Sequence, residues 1–183
     1  MTARWPGRFA QANCLSSRSI VSTMWLRQPK RQEVSLVPTI RELSEQETHL
    51  AYPALLELRP HLDAREHMVE IINTRQRPEG YRLIGSFVEG REEAVAVAGF
   101  RLLHSLAWGR FLYVDDLSTC AEYRRQGHGE RLMQWLDEEA RRLGCDQLHL
   151  DSGVQRHDAH RLYLNQRMQI TAHHFGRVLS TEE

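Results

Sequence analysis

The stretch RRQGHGE, Arg124 to Glu130, sets two glycines between an arginine pair and a helix-like run. That spacing suits the capture of an anion. Gly127 and Gly129 allow a ligand to reach main-chain N–H groups with no Cβ in the way. The first N–H groups of a helix have no internal partners, and the helix dipole adds about 0.3–1 kcal/mol for negative charge. Arg124 and Arg125 place positive charge beside them. Two familiar phosphate loops are excluded. A Walker loop needs Lys-Ser/Thr after the glycine, whereas Glu130 and Arg131 follow Gly129. A dinucleotide fold needs a third glycine where Leu132 stands.

Proton transfer has its own candidates. Asp115 and Asp116 are adjacent carboxylates near the end of a strand-like run. Strand alternation sends them to opposite faces unless a bulge intervenes. Either could act as a general base, and either could equally serve as an ion-pair partner of an arginine; Asp151 is a weaker third candidate. Tyr163, on a helix-like segment, could donate a proton or simply pack that helix onto a sheet. His157 and His160 lie three apart, but no H-E-x-x-H motif is present and no metal site is expected. Cys120 reads as a small apolar filler.

These residues need a scaffold, and the chain's patterning supplies one. VSLVPTIREL starts a β run; Ser44 and Glu47 stand at capping-box spacing. Leu50, Ala54, Leu55 and Leu58 then recur at helical intervals despite Pro53, and Asp63 with Glu66 opens a second helix. From Tyr81 to Thr119 the pattern is a three-strand antiparallel meander, broken at EGREE and AWG. Leu132, Leu136, Ala140 and Leu143 form an apolar helical stripe, with Asp137–Arg141 and Glu138–Arg142 pairs on the wet face and Gly144 as terminator. DQLHLDSGV is a further strand, DAHRLYLNQR a helix and ITAHHFGRVL a last β segment. The order β, α, α, β, β, β, α, β, α, β defines one mixed α/β domain over residues 34–183. The two strands flanking the glycine loop are joined through a helix, and so run parallel. Residues 1–33, rich in arginine and serine with Glu33 as their only acid, are expected to form a poorly ordered extension.

Composition bounds the function. The 183 residues carry 24 basic and 24 acidic side chains, so no nucleic-acid partner is expected. No apolar run approaches the ~18 residues of a membrane span, so no membrane partner is expected. Three cysteines without a C-x-x-C pair fit a reducing cytoplasm.

LSTCAEYRRQGHGERLMQWL resembles the acetyl-CoA signature of the GNAT family of N-acetyltransferases, R/Q-x-x-G-x-G/A, matched by Arg124, Gly127 and Gly129. The resemblance implies a mixed central sheet with a splayed parallel pair at the acetyl-CoA slot, flanked by about four helices. It implies acetyl-CoA as co-substrate. Leu117, Ser118 and Thr119 would hold the pantetheine arm through main-chain groups. Arg124, Arg125, Gln126, Gly127, His128, Gly129 and Glu130 would surround the pyrophosphate. It also implies that Tyr163, in an A-x-x-x-Y pattern with Ala159, reaches the CoA sulfur. The sequence departs from the family at Arg167-Met168, where Gly-Phe is usual. The acceptor, an unidentified amine, would be shaped by residues 51–80. A non-catalytic acyl-CoA-binding protein on the same scaffold is the alternative reading. An exposed strand near the C-terminus would support a homodimer.

Overall fold

The computed structural model describes residues 38–179, so the extension expected over residues 1–33 lies outside the described residues. Five strands form one sheet in the order β1 (Thr39–Glu42), β2 (Arg82–Phe87), β3 (Ala96–Ser105), β4 (Gly109–Thr119) and β5 (Gln147–Leu150). β1 to β4 pair antiparallel to one another in turn, and β5 runs parallel to β4. The parallel pair requires a crossover, which α3 (His128–Arg142) provides. The turns expected at EGREE and AWG are present, with Gly90 and Gly109 at positive φ.

Alternation along the strands builds a core on each face. Leu83 and Val97 point to the side covered by α1 (Tyr52–Leu58) and α2 (Arg65–Ile71), where Leu55, Met68 and Tyr81 join them. Ile84, Ala96, Ala98 and Phe100 point to the other side, against Leu132, Leu136 and Ala140 of α3. α4 (His157–Asn165) packs on this second face through Leu162 and Tyr163.

The helical stretch before β2 is broken up. Pro53 cannot donate to a preceding turn, so a 3₁₀ segment, Glu45–Ala51, precedes α1 and the proline falls in its first turn. At its start Glu47 reaches back to the Ser44 N–H (3.1 Å) and accepts from the Ser44 hydroxyl (2.9 Å). α2 widens into a π turn, Ile72–Gln76, before Gly80 stops the chain at φ 87°.

Two expectations are corrected. Ile170–Leu179 forms no strand, and Ile170, Phe175, Val178 and Leu179 are exposed. Apolar residues there fall on both parities around Gly176, so no single face could be buried; the strand invoked for a homodimer is not formed. Asp137 pairs with Arg141, but Arg142 turns to Glu139 rather than to Glu138. The reason is burial: Glu139 is 7% exposed and also accepts from Arg82, so two guanidinium groups, Arg142 first, hold its carboxyl down at about 2.

Arg167 takes the left-handed conformation a glycine would favour, φ 62°. The Met168 N–H donates to the Tyr163 carbonyl (3.0 Å) and the Arg167 N–H to that of Leu164 (3.0 Å), closing a Schellman cap on α4. The turn geometry survives the departure, at the strain of a Cβ in that region. Arg167→Gly is expected to stabilise the protein by about 0.5–1 kcal/mol, the relieved strain being partly offset by the freer unfolded chain. In thermal denaturation this is a rise of about 1–4 °C; a fall would show that the Arg167 side chain contributes more than its backbone costs.

Candidate functional site

The glycine loop sits where β4 hands over to α3. Gly127 is the N-cap at φ 85°, and Arg125 is also left-handed at φ 60°. Added at Gly129, a Cβ would lie 3.2 Å from Leu162 Cδ2, so this glycine lets the head of α3 approach α4. The two glycines therefore do different work, one conformational and one of close packing. Among the described residues, the main-chain N–H groups of Arg125 to Glu130 donate to no protein acceptor. Six donors at the positive end of a 15-residue helix are left for a ligand.

Most of the loop's side chains face away from it. Arg124 donates to Glu57 (2.6 Å) and to the Thr119 carbonyl (3.2 Å), tying the loop to α1. Gln126 donates to the Glu122 carbonyl at 2.9 Å. Glu130 accepts from Gln166 at 3.4 Å. His128 is buried beneath the loop, 2.9 Å from the Ser86 hydroxyl, and burial, with Arg131 nearby, pushes its imidazole below its ordinary range. It can offer a ligand its main-chain N–H only. Arg125 is exposed and forms no salt bridge among the described residues.

A slot opens beside the loop because β4 and β5 part company. Their register ends at Val114↔Leu150, while β4 continues to Thr119. Leu117, Ser118 and Thr119 remain paired to Ala98, Val97 and Ala96 of β3 but have no strand on the other side. The gap is a cavity of about 290 Å³ whose lining includes Leu117, Asp115, Ser152 and Tyr163. The Tyr163 hydroxyl bonds to no other described residue, and burial raises its phenol above the ordinary value against a weaker opposing pull from Arg156. Such a phenol keeps its proton at neutral pH.

The two adjacent carboxylates share a cavity rather than pointing to opposite faces of the sheet. Gly99 pairs with Asp116 and Phe100 with Val114, leaving Asp115 unopposed as the extra residue of a bulge. Both aspartates consequently line a larger cavity of about 650 Å³ between β4 and the first two helices, and Asp115 lines the smaller slot as well. Asp116, 8% exposed, accepts from Arg59 Nε and Nη2 (3.1 and 2.9 Å) and from the Tyr81 hydroxyl (3.0 Å). Asp115 accepts from Arg101 Nε at 3.0 and 3.2 Å, and burial still raises its carboxyl above the ordinary value. Asp151 follows β5 and accepts from the Tyr113 hydroxyl at 2.7 Å, with His174 Nδ1 3.0 Å away.

Sequence reasoning missed Tyr81 and Ser152. Gly99 carries the only signal for Tyr81: a Cβ there would overlap the Tyr81 hydroxyl, so the glycine makes the room through which the tyrosine meets Asp116. Ser152 follows Asp151 at the splayed end of β5, and its Oγ is buried without a hydrogen-bond partner among the described residues. His160 Nε2 donates to the Gly153 carbonyl at 3.0 Å, and among the described residues no three His, Cys, Asp or Glu side chains converge as a metal site would require. No described helix is long and apolar enough to cross a membrane.

With the sheet, the splayed pair and the loop in place, the class is defined by comparison. Residues 40–167 match the Acetyltransferase (GNAT) family, and the chain belongs to that family of acyltransferases. It is 33% identical over 120 residues to an uncharacterized N-acetyltransferase of Bacillus subtilis, covering 66% of this chain and 82% of that one. It is 32% identical over 66 residues to the aminoalkylphosphonate N-acetyltransferase of Salmonella typhimurium, 36% of this chain and 43% of that one. The fold is shared with the ribosomal-protein-alanine N-acetyltransferase of Brucella melitensis, at TM-score 0.62 and 20% identity over 79% of this chain and 99% of that one.

Proposed function

We propose that the protein transfers an acetyl group from acetyl-CoA to a primary amine by direct attack. The observation that carries this reading is the row of six unpartnered main-chain N–H groups from Arg125 to Glu130, opening beside a slot that holds Tyr163. Pyrophosphate suits the loop, with Arg125 adding charge at its rim, and the pantetheine arm suits the unpaired edge of β4 at Leu117, Ser118 and Thr119.

The chemistry poses two proton problems. An alkylamine has a pKa near ~10.4, so presenting it neutral at pH 7 costs about 4–5 kcal/mol unless a base offsets it. Asp115 is the better base of the pair. It borders both cavities and burial raises its basicity, whereas Asp116 is held by three hydrogen bonds within the larger one. Asp116 then serves to fix Arg59 and Tyr81. As the nitrogen lone pair forms the new C–N bond, the C–S bond breaks, the amine proton passes to Asp115 and the sulfur takes the Tyr163 hydroxyl proton. Solvent returns the proton to tyrosine and takes up the one held by Asp115, so both groups are restored.

Thiol release from acetyl-CoA in the presence of primary amines tests the activity. Its pH dependence tests the base. Because the Asp115 carboxyl is raised in the folded protein, activity that needs its ionised form falls as pH drops through a value above the ordinary carboxylate range. Asp115→Asn is expected to remove that limb and lower kcat/KM by about 10- to 100-fold, with Asp116→Asn keeping the limb. A limb that persists in Asp115→Asn assigns the base elsewhere.

A further inference from the structure

The larger cavity, about 650 Å³, is of a size that holds a small molecule. Its two walls differ in chemistry. The helical wall is mainly hydrocarbon, built from Leu55, Leu62, Met68, Ile71 and Ile72, with His61 and Gln76 as its polar members beside Arg59. The sheet wall carries Asp115, Asp116 and Asp151. Arg59, the arginine among the lining residues, is committed: it donates twice to Asp116 and once to the Asp115 carbonyl. Arg101 answers Asp115 from outside the lining. Among the described residues that leaves Asp151 with no arginine, only the Tyr113 hydroxyl and His174, and with its side chain 55% exposed. Beside it Ser152 Oγ is buried and has no partner among the described residues, an oxygen able to accept a proton donor from a ligand. Asp115, Asp151 and Ser152 line both cavities, so they mark the junction where an acceptor nitrogen would meet the acyl group.

We infer, on the transfer reading above, that the acceptor is a singly cationic primary amine on a hydrocarbon body, without a carboxylate or phosphonate. Its ammonium lies at the junction against Asp151 and Ser152, and its body lies along Leu62, Met68 and Ile71. An acidic substituent on that body would enter a cavity lined by three carboxylates, whose one lining arginine among the described residues, Arg59, is already committed to Asp116; Arg156 lines the smaller slot only. A polyamine would set further ammonium groups against the hydrocarbon wall, where their desolvation goes unanswered.

The full chain is assayed for thiol release from acetyl-CoA with hexylamine, 2-phenylethylamine, spermidine, β-alanine and 2-aminoethylphosphonate as acceptors, and its thermal stabilisation by acetyl-CoA is measured alongside. The expected result is a kcat/KM for hexylamine or 2-phenylethylamine at least tenfold above that for each of the other three. Asp151→Asn is expected to raise the KM for hexylamine about tenfold with kcat within twofold, and to narrow the gap to 2-aminoethylphosphonate. Preference for spermidine or an acidic amine overturns the acceptor class, as does an unchanged hexylamine KM in Asp151→Asn. Stabilisation by acetyl-CoA with no hydrocarbon amine used also overturns the class while leaving the transfer reading in place. Absence of stabilisation at saturating acetyl-CoA removes the transfer reading, and the acceptor class with it.

Discussion

Replacing Tyr163 with phenylalanine is expected to lower kcat by about 100-fold while leaving the KM for acetyl-CoA within twofold. The substitution removes one oxygen that bonds to no described residue and keeps the ring, which packs on the cluster around Leu132, Leu150 and Leu162. Folding should therefore be undisturbed. What is lost is the proton for the departing sulfur. A thiol of pKa about 8.5 can leave as thiolate unaided, so turnover slows but does not vanish. Steady-state kinetics with hexylamine decide the matter: an unchanged kcat would reduce Tyr163 to a packing residue, and an equal loss in kcat and in acetyl-CoA affinity would place it in cofactor binding instead.

Gly127→Glu is expected to abolish stabilisation by acetyl-CoA. At about 100 times its dissociation constant a ligand of the native state alone adds about 2.7 kcal/mol, a rise of roughly 5–10 °C in a domain of this size. In the variant the glutamate carboxylate stands among the N–H groups proposed to hold the pyrophosphate, so binding would be opposed by charge as well as bulk. Space is not the obstacle to folding, since the nearest atom to an added Cβ is 3.9 Å away. The left-handed φ of 85° costs the variant about 1–2 kcal/mol. A folded variant, verified by circular dichroism, that keeps the full acetyl-CoA shift would mean the loop is not the anion site.

Much of the loop and the meander was legible because the responsible signals are local. Gly127 and Gly129 sit at the strand-to-helix junction where the N–H groups are free, and EGREE and AWG turn as their composition demands. The carboxylates were only half legible. Alternation predicts opposite faces for Asp115 and Asp116, and the bulge that overrides it depends on how β3 and β4 pair, which no residue in VDD announces. His128 is a similar case. Its place in the motif says nothing of its ring, which Ser86, 42 positions earlier, draws inward. The Glu138 pairing failed because spacing along a helix cannot register Arg82 arriving from the sheet to make Glu139 the better partner for Arg142. At the C-terminus, β-branched and aromatic content was present without a buried face for it to cover.

Gly99 has a reach beyond its own strand. Any side chain there would collide with the Tyr81 hydroxyl, and that hydroxyl holds Asp116, which holds Arg59. The acceptor wall is thus governed from a position bearing no functional group. A substitution at residue 99 would touch neither amine nor thioester, yet it would act as a lesion of specificity and register, propagated through three side chains. In saturation mutagenesis under selection for activity, this glycine would behave like a reacting residue, though its whole contribution is vacant space.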